Sequence, residues 1–218
     1  GRVWIAEKAI LTPETTYLGS ILGLAENLLS GATTVMDMFW YPEETASAAK
    51  KLGMRISTGG IFFDLPGIGG RCHEDYISEA HQFSQNHEAD ENVIPAILPH
   101  GSYTVSPENL TDAKRIADEY GILFCTHAAE TKAEQNDIKT RYNNSVIRHL
   151  NEHKLLGENV VLAHCVHLDE KEISLIAKSN TNVVLNPMSN LKLGSGIAPV
   201  KEMKRAGINL TIGTDGAI

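Results

Sequence analysis

Apolar runs alternate with helix-like segments along this chain, and that alternation most strongly limits the fold it can adopt. The runs at 122–126 and 160–163 lack a helical period, so they predict buried strands. Amphipathic segments bounded by serine, proline or glycine predict helices between the strands. About seven strands are expected by this pattern. Because strands and helices take turns, the sequence predicts an α/β fold with a parallel sheet.

Local signals give the expected bounds of several elements. Proline near the start and glycine at the end predict a helix from Pro42 to Leu52. Ser106 followed by Pro107 predicts the start of another helix, which ends at Tyr120 before a glycine. The polar run 186–197, rich in Asn, Ser and Gly, is interpreted as a loop, and a helix is expected over 198–206.

Three of the predicted strands lead to histidine or carboxylate side chains, which can bind a metal or transfer a proton. The strand at 122–126 leads to His127 and, three residues later, Glu130, and the strand at 160–163 leads to His164. The last strand, 210–214, leads to Asp215. In an eight-stranded α/β barrel the loops after the strands gather at one rim, so we expect these side chains to converge there. His167 is interpreted as structural, because residues three apart on a strand-to-loop turn need not share a face.

Imidazole and carboxylate groups at strand ends are suitable ligands for zinc or iron. A catalytic zinc ion needs about three protein ligands and a water molecule, whose pKa it lowers to roughly 7. His127, His164 and Asp215 could contribute to such a site. Glu130 lies a few residues beyond one candidate ligand, where it could carry a proton to a leaving group.

Composition narrows the classes of protein. With 218 residues the chain can form one domain or most of one. A net charge of −8 argues against a nucleic-acid partner, and no apolar run approaches the roughly 20 residues of a membrane helix. The chain has 3 cysteines and no Cys-x-x-Cys, so reduced thiols in the cytoplasm are expected. A small-molecule substrate is expected, and a homo-oligomer is left open.

Four motifs, in the right order, resemble the amidohydrolase superfamily. They are His-x-x-Glu-Thr at 127–131, Ala-His-Cys-Val-His-Leu at 163–168, Asn-Pro-Met-Ser-Asn-Leu-Lys-Leu-Gly-Ser-Gly at 186–196 and Gly-Thr-Asp-Gly at 213–216. More narrowly, they are similar to those of the 5′-methylthioadenosine/S-adenosylhomocysteine deaminases and their chlorohydrolase relatives. The resemblance covers nearly the whole chain. It implies a distorted (β/α)₈ barrel of the amidohydrolase type, forming a single domain over residues 1–218.

The resemblance also implies roles for the residues at the strand ends. His127 would be a metal ligand, and Asp215 would be both a ligand and the base that takes a proton from the metal-bound water. Glu130 would protonate the purine ring nitrogen as hydroxide attacks the ring carbon. His164 would hold the hydroxide and the developing tetrahedral centre. The implied reaction is hydrolytic deamination of a purine nucleoside with zinc, or else iron, as cofactor.

Three further residues match positions that bind substrate in that family. His100, in Pro-His-Gly-Ser-Tyr-Thr, resembles the histidine that contacts the base. Glu7 resembles the glutamate that binds the ribose hydroxyls, with a one-residue offset in the spacing that follows. Arg71, after the glycine-rich segment 66–70, resembles an arginine that binds the amino-acid carboxylate of the substrate. Gly60 stands where some S-adenosylhomocysteine deaminases carry another arginine, which weakens the case for a homocysteine-bearing substrate.

The family pattern is incomplete in this sequence. Its first strand carries a His-x-His pair that supplies two zinc ligands, and no His-x-His occurs here. The part of the family pattern that follows the aspartate is also missing. We therefore expect a barrel truncated at both ends, with about seven strands, whose isolated chain binds zinc poorly and is inactive.

Alternatives remain at this point. An open doubly wound sheet is the structural alternative, although no G-x-G-x-x-G follows the first strand. Within the family, a guanine deaminase or a triazine chlorohydrolase would carry the same motifs. A non-catalytic barrel fragment that binds a partner is the alternative from a different class.

Overall fold

The computed structural model describes residues 9–64 and 70–216 of the chain. Strands alternate with helices within these residues, as predicted. The strands are β1 (Thr34–Met36), β2 (Arg55–Phe62), β3 (Val93–Pro99), β4 (Leu123–Ala128), β5 (Val160–His164), β6 (Asn182–Leu185) and β7 (Leu210–Ile212). The helices are α1 (Pro13–Leu29), α2 (Pro42–Leu52), α3 (His73–Asn86), α4 (Pro107–Tyr120), α5 (Lys132–Tyr142), α6 (Val146–Glu152), α7 (Glu170–Lys178), α8 (Pro187–Leu193) and α9 (Val200–Arg205).

The chain divides into two compact units, Gly1–Leu98 and Pro99–Ile218. In the first unit β1 pairs with β2 in parallel, and β3 lies beside β2. In the second unit β4, β5, β6 and β7 follow one another in that order, and every neighbouring pair is parallel. The assignment of residues 1–218 to a single domain stays a prediction.

Helix α2 of the first unit begins and ends where the sequence predicts. In α2, Glu43 and Glu44 lie in the first turn and Lys50 and Lys51 in the last, so both ends complement the helix dipole. Gly53 ends this helix at φ 68°, which only glycine adopts without strain. Helix α1 packs on α2, and both contribute to one apolar core, whose buried members are Leu24, Ala46, Ala48, Ala49, Met54, Ile56, Phe83 and Val93.

The second unit follows the same logic and contains the predicted strand ends. Ser106 caps α4 by accepting a hydrogen bond from the backbone N–H of Asn109, and Gly121 ends the helix at φ 64°. All five residues of β5 are buried, which accounts for its continuous apolar sequence. The largest fully buried side chains of this unit are Leu110, Ile116, Phe124, Ile138, Ile147 and Leu150.

The parallel register brings the ends of the second-unit strands to one edge. Ala128 of β4 lies opposite His164 of β5, and Leu185 of β6 lies opposite Ile212 of β7. Residues that follow these positions therefore emerge on the same side of the sheet. This edge carries the candidate site.

The segment after β6 differs from the prediction. We expected a loop over 186–197, but Pro187–Leu193 forms helix α8. Met188, Leu191 and Leu193 are all exposed, so α8 does not bury an apolar face. The periodic apolar pattern of an amphipathic helix, from which a helix is usually predicted, is therefore not expected in this segment. The local signals were nevertheless present, with proline at the first helical position and Gly194 at the end at φ 69°.

The predicted glycine-rich loop at 66–70 lies almost wholly outside the described residues. Among the helices that are described, none combines the length and the apolar character needed to cross a bilayer.

Candidate functional site

Three side chains from three strand ends meet in the second unit. His127 comes from the end of β4, His164 from the end of β5, and Asp215 follows β7. Each offers a ligand atom, and these atoms all lie within 4.8 Å of one another. The His164 Nε2 atom is 3.7 Å from Asp215 Oδ2, and the two imidazole rings are 5.4 Å apart. Two imidazoles and one carboxylate at this separation are a donor set that zinc or iron accepts.

Hydrogen bonds to the far side of each ring fix the orientation of both histidines. The Nδ1 atom of His127 lies 2.6 Å from the carbonyl oxygen of His100, and Nδ1 of His164 lies 2.8 Å from the amide oxygen of Asn190. Because both partners only accept hydrogen bonds, Nδ1 carries the proton in each ring. This leaves Nε2 of each histidine for the centre of the site. Metal-ligating histidines are held in this way in characterised sites.

The carboxylate of Asp215 is oriented by two donors. Ser189 Oγ donates to Oδ2 at 2.5 Å, and the backbone N–H of Gly216 donates to Oδ1 at 2.7 Å. Burial by itself would raise the pKa of Asp215, but these hydrogen bonds and the nearby His164 lower it below its ordinary value. Asp215 is therefore an anion at neutral pH, as a ligand or a base must be.

Strained backbone accompanies these strand ends. Ala129, His164 and Asp215 adopt positive φ angles of 54°, 77° and 60°. Residues other than glycine held in this region cost roughly 1–3 kcal/mol each, and they concentrate at functional sites. Two of these three residues, His164 and Asp215, carry the candidate chemistry, while the same conformation is also found at helix ends such as Asn143.

Glu130 lies at the edge of the same group. Its Oε2 atom is 3.9 Å from His164 Nε2, and its Oε1 atom accepts a hydrogen bond of 3.4 Å from Ser195 Oγ. The Glu130 side chain is 14% exposed, so its carboxyl group is mostly shielded from water while remaining reachable by a ligand. A carboxyl group in this place can donate a proton to a molecule bound beside His164.

His100 lies beside this cluster and is neutral. Its ring is 4.9 Å from that of His127 and packs edge-on against Tyr103 at 5.4 Å. Its Nδ1 atom lies 2.8 Å from the hydroxyl oxygen of Thr104. Burial, and then the proximity of His127, lower the pKa of His100 to about 3. A neutral imidazole can exchange hydrogen bonds with a heterocyclic base without bringing a charge.

Two predicted site residues remain, Glu7 and Arg71. Glu7 lies outside the described residues. Arg71 lies in the first unit, where its Nε donates to Glu79 Oε1 at 2.6 Å and its guanidinium stacks over Tyr41. The roles assigned to these residues and to His100, Glu130 and the cluster above stay predictions.

The structure shows what His167 and Gly60 contact. The Nε2 atom of His167 lies 2.9 Å from the carbonyl oxygen of Ser195, so this imidazole fastens a loop. At Gly60, an added Cβ would lie 2.5 Å from the Cβ of Ala80 in α3, so β2 and α3 approach too closely there for a side chain. An arginine would not fit at this position without a shift of the helix.

Sequence reasoning missed the residues that support the site. Ser189, Asn190 and Ser195 lie in the segment that we expected to be a loop, and all are at least nine-tenths buried. Asn186 also belongs here, with Nδ2 at 3.5 Å from His164 Nε2. The only available signal was the motif at 186–196, which was noted for its resemblance to a family and not for its contacts.

The sequence of this chain is similar to those of curated deaminases. The 5-methylthioadenosine/S-adenosylhomocysteine deaminase of Aquifex aeolicus is 40% identical over 215 residues, covering 99% of this chain and 50% of that protein. The 5′-deoxyadenosine deaminase of Methanopyrus kandleri is 38% identical, covering 98% of this chain and 49% of its own. This chain thus spans about half the length of the curated relatives it matches.

A solved structure gives the same result for the fold. An adenosine deaminase from Xanthomonas campestris with bound zinc superposes with a TM-score of 0.96 at 31% identity, covering 98% of this chain and 49% of that structure. The predicted α/β barrel of the amidohydrolase type is confirmed by this likeness. Residues 3–218 match the amidohydrolase family, and the chain belongs to that family.

Proposed function

We propose that the protein to which this chain belongs hydrolytically deaminates a purine nucleoside with the help of a bound metal ion. Water adds to the ring carbon that carries the amino group, the carbon–nitrogen bond breaks, and ammonia leaves. The observation that carries the proposal is the meeting of His127, His164 and Asp215 within 4.8 Å, with the Glu130 carboxyl group 3.9 Å from His164. A proton donor next to a metal-type cluster is what deamination of a protonatable ring requires.

The residues present fit a zinc ion. His127 and Asp215 offer ligand atoms within 4.8 Å of each other, and hydrogen bonds to His127 Nδ1 and to the Asp215 carboxylate fix both side chains, which favours ligation. When bound, zinc supplies hydroxide at neutral pH by lowering the pKa of a coordinated water molecule. Iron accepts the same donor set, so the metal is proposed as zinc on the family likeness.

Proton transfers fall to two carboxyl groups with different surroundings. Asp215, an anion held by Ser189 and the N–H of Gly216, accepts the proton that the attacking water loses. Glu130 delivers a proton to the ring nitrogen next to the carbon under attack, which makes that carbon more electrophilic. His164, buried and fixed by Asn190, supports the oxygen as it adds to the ring.

The substrate class rests on the relatives and on His100. The curated relatives are named for methylthioadenosine, S-adenosylhomocysteine and 5′-deoxyadenosine, which all carry an adenine ring on a 5′-modified ribose. Because its pKa is lowered to about 3, His100 is a neutral partner for such a base. An adenine nucleoside lacking a large charged 5′ group is the substrate we favour, since Gly60 leaves no room for a second arginine.

A panel of substrates tests the proposal on the complete protein. 5′-Deoxyadenosine, methylthioadenosine and adenosine should release ammonia, whereas S-adenosylhomocysteine, guanine and a chlorinated triazine should be turned over far more slowly. Glu130→Gln should lower kcat by about 100-fold or more, because the proton donor is lost. Ammonia release from none of the adenine nucleosides, or full activity in Glu130→Gln, would overturn the proposal.

A further inference from the structure

The turn that carries Glu130 is fastened by a second glutamate. Glu134 is 5% exposed, and its two carboxylate oxygens accept hydrogen bonds from the preceding turn. Oε2 accepts from the backbone N–H of Glu130 at 2.7 Å, and Oε1 accepts from the backbone N–H of Ala129 at 3.2 Å. The Glu134 carboxylate therefore holds the backbone of residues 129 and 130, which carries the Glu130 side chain.

Ordinary helix capping does not account for this arrangement. Glu134 is the third residue of α5, after the cap Thr131, whose hydroxyl accepts from the N–H of Glu134 at 3.0 Å. In helix α7, Glu172 holds the equivalent position and is 3% exposed. Its Oε2 atom accepts a 2.8 Å hydrogen bond from the N–H of the cap residue Asp169, which is the usual capping box. Glu134 instead extends past its own cap to the two residues before it.

The same turn is held from other sides as well. The carbonyl oxygen of Ala129 accepts hydrogen bonds from the N–H groups of Val166 and His167, both at 2.9 Å. The Oε1 atom of Glu130 accepts a 3.4 Å hydrogen bond from the hydroxyl of Ser195. Ala129 keeps a positive φ of 54° under these restraints. Glu134 provides the restraint closest to the backbone of Glu130.

We propose that Glu134 is a positioning residue, which holds Glu130 at the place and angle from which it can transfer a proton to the substrate. This rests on the proposed function of Glu130 as proton donor. The hydrogen bonds described for the Glu134 carboxylate go to the backbone of residues 129 and 130 and not to His127, His164 or Asp215. Its effect is carried by the backbone of residues 129 and 130.

Glu134→Gln is the test, with Glu172→Gln as its matched control. Glutamine keeps the shape of the side chain but replaces one acceptor oxygen by an NH₂ group, so one of the two backbone N–H groups loses its partner. In the complete protein at pH 8, above the pKa of Glu134, which burial raises to about 7, we expect kcat to fall by about 10-fold to 100-fold. KM should change by less than about 3-fold, because a lost proton-transfer geometry acts on the chemical step.

A second measurement does not depend on activity. Hydrogen exchange at the amides of Ala129 and Glu130 should become faster in Glu134→Gln and remain unchanged in Glu172→Gln. Glu172→Gln should retain the wild-type kcat, because Glu172 accepts one hydrogen bond of this kind, which the amide oxygen of glutamine can keep, and its turn carries no proton donor. Equal kcat values in the two variants, or unchanged exchange at residues 129 and 130, would overturn the proposal.

Two outcomes are kept apart by this design. A wild-type protein that deaminates no purine would refute the proposed function, while the exchange rates would still report whether Glu134 holds the turn. Should Glu134→Gln fail to fold, Glu134→Asp keeps the charge but is one methylene too short to reach both amides. It should show the same selective loss of kcat, and a wild-type kcat in Glu134→Asp would refute the positioning role.

Discussion

Removing the hydroxyl of Ser189 should weaken the binding of zinc. This hydroxyl donates a 2.5 Å hydrogen bond to Oδ2 of Asp215, while Oδ1 is held separately by the N–H of Gly216. In Ser189→Ala the carboxylate keeps one donor and loses the other. Ser189 is 5% exposed, and alanine leaves the local packing nearly unchanged. The variant therefore tests the orientation of the carboxylate rather than the fold.

The size of the effect follows from the environment of Asp215. A hydrogen bond to a charged acceptor contributes about 1.5–3 kcal/mol. The Asp215 side chain is 27% exposed, so water replaces part of what is lost and the lower end of this range applies. A loss of about 1.4 kcal/mol corresponds to a roughly tenfold larger dissociation constant for zinc. Removing a residue that hydrogen-bonds a metal ligand typically weakens metal binding by about 10-fold to 100-fold, so the expected effect is at the lower end of that range.

Competition with a chromophoric chelator measures the zinc dissociation constant of the complete protein. The matched control is Ser84→Ala, because Ser84 is equally buried but donates its 2.8 Å hydrogen bond to the carbonyl oxygen of Ala80 within helix α3. We expect about tenfold weaker zinc binding in Ser189→Ala and an unchanged constant in Ser84→Ala. Equal zinc affinity in the wild type and both variants would refute the role given to Ser189 in orienting the Asp215 carboxylate.

Three further outcomes follow from the described contacts. Replacing Asn190 by alanine removes the acceptor that fixes His164 in one tautomer, so kcat for ammonia release should fall by about 10-fold. Asp37 has a buried Oδ2 atom without a hydrogen-bond partner among the described residues, and burial raises its pKa to about 6. The stability contributed by protonated Asp37 is complete below its ordinary pKa of 3.8 and is lost as the pH rises through 6. Urea unfolding at pH 8 should therefore find Asp37→Asn more stable than the wild type by up to about 3 kcal/mol. At pH 4 the same variant should show no such gain. Phe124 is fully buried in β4, so Phe124→Ala should lower the free energy of unfolding by about 3–5 kcal/mol in the same assay.

Much of the fold could be predicted because its signals are local. Helix α4 begins at a serine and a proline and ends before Gly121, and each of these residues acts within one turn of the helix. Strand β5 is apolar throughout because all its residues are buried. Helix α8 could not be recognised from apolar spacing, since its apolar side chains face outward in the described structure.

The candidate site divides in the same way. His127, His164 and Asp215 could be proposed because each follows a recognisable strand. Their supporting partners could not, because the contacts join residues far apart in sequence. Asn190 meets His164 across 26 positions, and Ser195 meets Glu130 across 65. The hydrogen bonds from Glu134 to the backbone of Ala129 and Glu130 depend on a backbone conformation that only the structure reveals.

Metal-dependent ammonia release is the most direct test of the site as a whole. The complete protein is stripped with a chelator, and ammonia release from 5′-deoxyadenosine is then measured as zinc is returned, for the wild type and for Asp215→Asn. We predict that the stripped wild type is inactive and recovers with zinc, while Asp215→Asn stays inactive at every zinc concentration. Full activity in the stripped protein, or recovery of Asp215→Asn to the wild-type rate, would contradict a metal-dependent deaminase centre at His127, His164 and Asp215.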